Sequence, residues 1–265
     1  MNQPSIPNVG ALFQAAQQEG SLSAGAMQAL NVVDIGAQIQ NALGVSADDV
    51  SASEVVLVTL LIDDSGSIRF AGNAEAVRQG HNRVLDSLNA SKQKDGILVH
   101  NRYLNGHILY PYCPLSQAVQ MDKVNYNPNL GTPLYDETLV VLGTVLAKAQ
   151  EFADHGVPTR TVTLIVTDGD DQSSQNGTCR KVATVVKDML KQENHIIAAM
   201  GVDDGQTDFR LIFKSMWILD EWILTPNSDP KEIRRAFEVF SQSAVRASQS
   251  AAQFTQATVG GFGTP

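Results

Sequence analysis

The residues best suited to chemistry in this chain lie in two short acidic strings. The first, Asp63-Asp64-Ser65-Gly66-Ser67, follows the apolar run Glu54–Ile62 (EVVLVTLLI). The second, Asp168-Gly169-Asp170-Asp171, follows Thr159–Thr167 (TRTVTLIVT). Alternate residues of an extended turn point the same way, so Asp63, Ser65 and Ser67 can converge on one point. Gly66 lets the backbone bend tightly between the two serines. Carboxylate and hydroxyl oxygens suit a hard divalent cation, and Mg²⁺ takes six such ligands at about 2.0–2.1 Å in near-octahedral geometry. Two carboxylates with hydroxyls and waters nearly neutralise such an ion without saturating it.

These strings matter only if the fold brings them together. Both preceding runs are continuous in β-branched residues and Leu, which suits strands covered on both faces. Ala74–Asn89 is helical in period, with Val77, Val84, Leu85 and Leu88 on one side. Ile97–Leu104 and Gly106–Tyr110 read as strands joined at Asn105-Gly106, a dipeptide that favours a tight hairpin. Pro133–Phe152 and Lys181–Glu193 read as helices and Ile196–Val202 as a third central strand. Helices at Phe209–Met216 and Pro230–Ala247, with an edge strand near Trp222–Leu224, complete the set. This alternation predicts an α/β fold: a doubly wound, Rossmann-like three-layer sandwich with a mostly parallel sheet and one antiparallel edge strand. Parallel neighbours then deliver Asp63 and Asp168 to one edge, where such sheets bind ligands.

Two flanking zones differ in composition. Residues 1–53 form an Ala/Gln/Ser-rich arm in which Val32–Leu43 predicts one short amphipathic helix. Residues 248–265 form a Ser/Gln/Gly-rich tail, closing on Gly260-Gly261-Phe262-Gly263, that is expected to be flexible. The domain proper is 54–247. With 43% hydrophobic and 18% charged residues, the chain reads as soluble and globular. A net charge of −9 argues against nucleic-acid binding, which needs a basic footprint. No run reaches the roughly 18 apolar residues of a membrane span. Met1–Pro7 lacks the basic start and apolar run of a signal peptide. Cys113 and Cys179 alone supply neither a disulfide framework nor a thiolate zinc cluster. A cytoplasmic, microbial location is expected, with non-classical export as the alternative.

Taken in order, Asp63-Asp64-Ser65-Gly66-Ser67, Gly131-Thr132-Pro133-Leu134-Tyr135-Asp136 before a long helix, and Thr167-Asp168-Gly169 closing a strand resemble the von Willebrand factor A family. These are the three motifs of its metal-ion-dependent adhesion site, and the resemblance spans Glu54 to Ala247. It implies that Ser65 and Ser67 coordinate an ion through their hydroxyls. Thr132 would join when a partner is engaged, and Asp63 and Asp168 would act directly or through water. An acidic side chain of a protein partner would fill the remaining position. Mg²⁺ is the default ion, with Mn²⁺ or Ca²⁺ as alternatives. Asp64, Asp170 and Asp171 add charge that strengthens cation capture and weakens the pull on an acidic partner, within about 8 Å. They read either as accessory to the metal or as solvated loop carboxylates.

In size, and in its Phe237-Glu238-Val239-Phe240-Ser241-Gln242-Ser243 ending, the chain is similar to stand-alone bacterial intracellular members of the tellurite-resistance and stress-operon type. That likeness implies a metal-gated scaffold in a multiprotein system, beside an AAA+ ATPase, kinase or phosphatase partner. The chain has no Walker A string, so nucleotide chemistry would belong to the partner.

Other readings of the same residues fit less well. A receiver domain needs a lysine after its last strand, whereas Ile196–Val202 runs into Asp203-Asp204-Gly205. A serine hydrolase needs a Gly-x-Ser-x-Gly elbow and a histidine base. Ser65 has no such elbow, and His81, His100, His107, His155 and His195 are scattered. No enzymatic activity is expected. Trp217 and Trp222 are assigned to packing, while Tyr103, Tyr110, Tyr112, Tyr126 and Tyr135 surround the threonine loop in sequence and offer it a rim. Two further functions are carried: a self-assembling structural protein with a structural metal, its arms packed on neighbours, and a divalent-ion sensor that moves the region from Asp203 to Trp222 and the terminal helix.

Overall fold

Four of the apolar runs form strands buried along their whole lengths: β1 (Val55–Ile62), β2 (Ile97–Tyr103), β4 (Thr159–Thr167) and β5 (His195–Gly201). Side chains that suit both faces of a strand require helices on both sides. The computed structural model, which describes residues 8–31, 34–249 and 261–262, supplies them. Its six-stranded sheet, completed by β3 (Ile108–Pro114) and β6 (Ile223–Leu224), has the order β3-β2-β1-β4-β5-β6. All neighbours are parallel except β3, which pairs antiparallel with β2 at one edge. β6 is the short opposite edge. The doubly wound, mostly parallel sandwich expected from the sequence is the fold.

Along the chain, β1, β2 and β3 extend the sheet in one direction, and β4 then returns to the other side of β1. In a doubly wound sheet this reversal opens a crevice beyond the carboxyl ends of the two central strands. Val55 to Ile62 lie opposite Thr159 to Val166 in parallel register, so both strands end at the same level.

Helices labelled in chain order cover the sheet: α4 (Gly66–Phe70), α5 (Ala74–Asn89), α6 (Leu134–Asp154), α7 (Cys179–Lys191), α8 (Phe209–Ser215) and α9 (Pro230–Gln249). α6 crosses β1 and β4 with α7 beside it, whereas α9 meets the same two strands and packs along α5. The α5–α9 approach depends on Gly80, where any Cβ would collide with the Phe237 ring.

The N-terminal segment is more structured than the single helix expected. Three helices form, α1 (Val9–Gln18), α2 (Ala24–Leu30) and α3 (Ile35–Ala42), and they pack on α6 and α7. Val9, Leu12, Phe13, Leu30 and Ile39 join the main core. Ile39 and Leu30 sit over Gly143 of α6, with Ile39 Cδ1 2.6 Å from where a Cβ there would stand. Buried Glu151 accepts the Ala47 N–H at 2.8 Å, and its partner Lys148 donates to the Val45 carbonyl. Polar groups of α6 therefore hold residues 45–47 in place. Val32 and Val33, the signal-peptide reading of residues 1–7, and tail positions 250–260 and 263–265 lie outside the described residues.

The hairpin also differs from its expectation. β3 starts at Ile108 and runs to Pro114, and Leu104 to His107 make the connection. The Asn105 side chain accepts the His107 N–H at 2.8 Å, and the Asn105 N–H donates to the Asp64 carboxylate at 3.1 Å. The turn closes on Tyr103, whose N–H donates to the His107 carbonyl at 2.9 Å and whose carbonyl accepts the Gly106 N–H at 3.0 Å. Among the described residues, no helix is long and apolar enough to cross a membrane.

Candidate metal centre

β1 and β4 deliver their acidic residues to the crevice. Asp63 follows β1 directly, is fully buried, and donates its N–H to the Val166 carbonyl at 3.0 Å, continuing the ladder one step. Its Oδ1 accepts the Ser65 N–H at 2.7 Å, and its Oδ2 accepts the Thr167 hydroxyl at 2.7 Å and the Asp168 N–H at 3.4 Å. Asp63 therefore fixes both motif loops at once.

The hydroxyls complete the cluster. Ser65 Oγ lies 2.8 Å from Ser67 Oγ, Ser67 donates to Asp168 Oδ1 at 2.7 Å, and Ser65 donates to the same oxygen at 3.3 Å. Ser67 is exposed, so the cluster opens to solvent on that side. Thr132 is buried and stands next to the Asp168 loop, its Oγ1 3.9 Å from where a Cβ on Gly169 would lie. Its carbonyl accepts the Gln172 N–H at 3.0 Å. Thus Asp63, Ser65, Ser67 and Asp168 form one hydrogen-bonded group with Thr132 at its border.

The accessory carboxylates take other positions. Asp64 is buried and spends its carboxylate on Asn105, which corrects the solvated-loop reading at that position. Asp171 accepts from the Tyr135 N–H at 3.2 Å and the Ser174 hydroxyl at 2.5 Å, tying the start of α6 to the 171–174 loop. Asp170 is exposed and accepts the Asp171 N–H at 2.7 Å. None of these bonds reaches the Ser65 or Ser67 hydroxyl.

Electrostatics show what the group lacks. Burial raises the Asp63 carboxyl above its ordinary range, against hydrogen bonds from Ser65 and Thr167 that pull it down. Burial, opposed by Ser67 and reinforced by Asp63, pushes Asp168 up to about 6, and burial pushes Asp64 up to about 7. The leading influences on these three are burial, hydroxyl and backbone N–H donors, and other carboxylates, with no cation among them. Buried carboxylates without a cationic partner are costly when ionised. A divalent cation removes that cost.

The donor set fits such an ion. Adjacent ligands of an octahedral Mg²⁺ at about 2.0–2.1 Å stand about 2.9 Å apart. The Ser65–Ser67 and Ser67–Asp168 oxygen pairs, at 2.8 and 2.7 Å, already have that spacing. Among the described residues no group of three or more His, Cys, Asp or Glu could hold a metal. Any ion here would therefore depend on the hydroxyls as well as the carboxylates.

Tyr126 is a supporting residue that the sequence placed only on the rim. It is fully buried and donates its hydroxyl to the Asp63 carbonyl at 2.5 Å. The same loop pairs with the first motif: the Asn129 and Leu130 N–H groups donate to the Asp64 carbonyl at 2.9 and 3.2 Å. Nothing local in sequence signals a contact between residues 63 positions apart. Trp222 packs as expected, but Trp217 is half exposed with a φ of 69°, and Lys187 Nζ sits 3.9 Å from its ring centroid. The histidines bond elsewhere: His81 with Tyr110 and Asn82, His100 with the Tyr110 carbonyl, His195 with Thr161, and His155 with the Glu151 carbonyl.

No protein-family model and no curated protein matches the sequence. Solved structures do match the fold. The pilus adhesin SpaC from Lactobacillus rhamnosus GG aligns with a TM-score of 0.54 at 15% identity, over 73% of this chain and 31% of that one. Proximal thread matrix protein 1 from the mussel byssus aligns at 0.50 and 16% identity, over 72% of this chain and 46% of that one. The vWF domain of a type V pilus tip protein from Porphyromonas gingivalis aligns at 0.52 and 12% identity, over 76% of this chain and 98% of that one. The chain spans under half the length of the first two and nearly all of the third. Its fold is that of a von Willebrand factor A-type domain.

Proposed function

We propose that this chain is a divalent-metal-dependent protein-interaction module. Asp63, Ser65, Ser67, Thr132 and Asp168 would hold the ion, Mg²⁺ first, with Mn²⁺ and Ca²⁺ as rivals. The bound ion supplies Lewis acidity toward one more oxygen ligand, an acidic side chain of a protein partner. Asp63 organises both loops through its hydrogen bonds, and the Ser65 and Ser67 hydroxyls both donate to Asp168. Ser67, the exposed member, marks the side from which a partner approaches.

One observation carries this reading. The buried Asp168 carboxylate and the Ser65 and Ser67 hydroxyls meet with oxygen separations of 2.7–3.3 Å, while buried Asp63 ties the two motif loops together through the Ser65 N–H and the Thr167 hydroxyl. The pilus adhesin that shares the fold is by name a binding protein, in keeping with an interaction role. We assign the chain no bond-breaking step of its own. We place it in a bacterial cytoplasmic assembly, where any nucleotide chemistry falls to a partner.

The self-assembly alternative relied on the N-terminal arm packing on neighbours. Val9, Leu12, Phe13, Leu30 and Ile39 are instead spent inside this chain, which favours the interaction reading. Affinity capture with wild type and Ser67→Ala, each in Mg²⁺ and in EDTA, tests it. A partner held only by wild type in Mg²⁺ is the expected result. Equal recovery in all four conditions would refute it.

A further inference from the structure

Two large apolar side chains border the serine turn and face solvent. Phe70 is 81% exposed and Leu130 53% exposed. An isolated exposed apolar residue carries little meaning, but these two flank the same backbone position. The Phe70 ring lies over Gly66, its Cε2 3.3 Å from where a Cβ on that glycine would stand. The Leu130 carbonyl accepts the Gly66 N–H at 3.0 Å, and Leu130 bridges to Ser65 in parallel. Gly66 separates Ser65 from Ser67, so the Phe70 ring and the Leu130 backbone both border the turn that carries the hydroxyl pair.

The wall is also held in place. Ile68 is fully buried and anchors α4 in the core. The Arg69 guanidinium lies 4.9 Å from the centroid of the Phe70 ring and donates to Asn129 Oδ1 at 2.7 Å. Arg69 thus links the aromatic residue to the loop that carries Leu130. Ordered aromatic and arginine side chains around a central polar contact are the usual anchors of protein interfaces, because they exclude water from it. Arg69 also sets a positive charge beside this wall, complementary to an acidic ligand, in a chain of net charge −9.

We propose that Phe70 and Leu130 form the apolar wall of the partner-binding surface, selecting an acidic side chain that is flanked by a large apolar residue. This rests on the metal-dependent reading above. Partner apolar area buried against Phe70 and Leu130 would shield the carboxylate–ion contact from water and strengthen it.

The test uses phage-displayed heptapeptides with a fixed central Asp and random neighbours, selected on the full-length protein in Mg²⁺. Wild type is expected to enrich Phe, Leu, Ile, Met, Trp or Tyr beside the Asp by about fivefold or more over input. The double variant Phe70→Ser/Leu130→Ser is expected to lose that enrichment while binding Mg²⁺ within about twofold of wild type, since neither side chain supplies a ligand oxygen. No apolar enrichment on wild type, or enrichment undiminished in the variant, would overturn the wall. Apolar enrichment that persists in EDTA and with a fixed central Asn supports the wall and removes the metal-dependent reading. Mg²⁺-dependent recovery of Asp peptides without apolar preference removes the wall and leaves the metal-dependent reading standing.

Discussion

Ser67 donates its hydroxyl to Asp168 Oδ1 at 2.7 Å, closing a contact between residues 101 positions apart. The contact follows from strand register. Ile62 sits opposite Val166, so each central strand releases its acidic residue within two positions of the same level. The oxygens meet as a hydrogen bond, at the separation that two neighbouring ligands of one ion would take.

The Asp168 carboxylate is held at an energetic cost that an ion would relieve. Its pKa of about 6 leaves it ionised and buried at pH 7.5. Asp168→Asn keeps an acceptor for Ser67 and removes the charge. In EDTA this variant is expected to be more stable than wild type by about 1–2 kcal/mol, given ~1.4 kcal/mol per pKa unit and partial compensation by hydrogen bonds. In Mg²⁺ the order reverses, because only wild type gains from ion binding. Urea unfolding at pH 7.5 in both buffers measures the crossing. A variant less stable in both would refute this account of the charge.

Tyr126 fixes the main chain beneath the site. Tyr126→Phe leaves the Asp63 carbonyl without its hydroxyl donor. The expected loss is about 1–2 kcal/mol, the ordinary cost of an unmade buried hydrogen bond. Mg²⁺ affinity is expected to fall several-fold, since the 126–130 loop then holds the first motif less firmly. Urea unfolding and calorimetry check the two effects separately.

These residues were not equally legible in the sequence. β1 and β4 could be read because both are unbroken apolar runs, and each stops at an acid. Asp63, Ser65, Ser67 and Asp168 could be read because short-range spacing and parallel pairing suffice to bring them together. Asp64 reads as a solvated loop acid, because only the folded hairpin brings Asn105 to it. Tyr126 lies in a segment without periodic pattern, and its role depends on a contact across the sheet edge. The N-terminal helices were legible only in part. Their buried faces are built largely on Ala and a few Leu, Ile and Phe, and their match to the small Gly143 surface of α6 exists only in three dimensions.

That packing makes the N-terminal segment part of the stable unit. A chain truncated to residues 54–249 loses the cover over Gly143 and the backbone partners, at Val45 and Ala47, of the Lys148–Glu151 pair. It is expected to melt about 2–8 °C lower, as a loss of ~1–2 kcal/mol would produce in a domain of this size, and to bind more of the dye ANS. Thermal melts of the two chains decide. Equal melting temperatures would show that α1 to α3 contribute nothing to the fold.

Acid sensitivity should come from the buried histidines. Burial holds His81 and His100 down at about 4 and His195 down at about 3, whereas an unfolded imidazole titrates near 6.5. The unfolded chain therefore binds more protons below pH 6.5. The stability these neutral imidazoles contribute is present above that value and is lost as pH falls toward about 4. Asp64 and Asp168 act with the opposite sign, since their folded values are raised. The histidine contribution is isolated by His195→Asn, whose free energy of unfolding is expected to vary less steeply between pH 6.5 and 4, by up to ~1.4 kcal/mol per pH unit. Imidazole NMR should find His81, His100 and His195 neutral at pH 5.5, while His155, raised by the Glu151 carbonyl and by Asp48, titrates higher than an ordinary imidazole.

The proposed function requires that the oxygens of Asp63, Ser65, Ser67, Thr132 and Asp168 form one cation site. Isothermal titration of Mg²⁺ into wild type, Ser67→Ala and Asp168→Asn tests it most directly. Wild type is expected to show one saturable site per chain, with affinity lower by about tenfold or more in each variant as one ligand oxygen of six is lost or weakened, and with folded spectra for all three. Absence of saturable binding in wild type, or equal affinity in all three proteins, would contradict it.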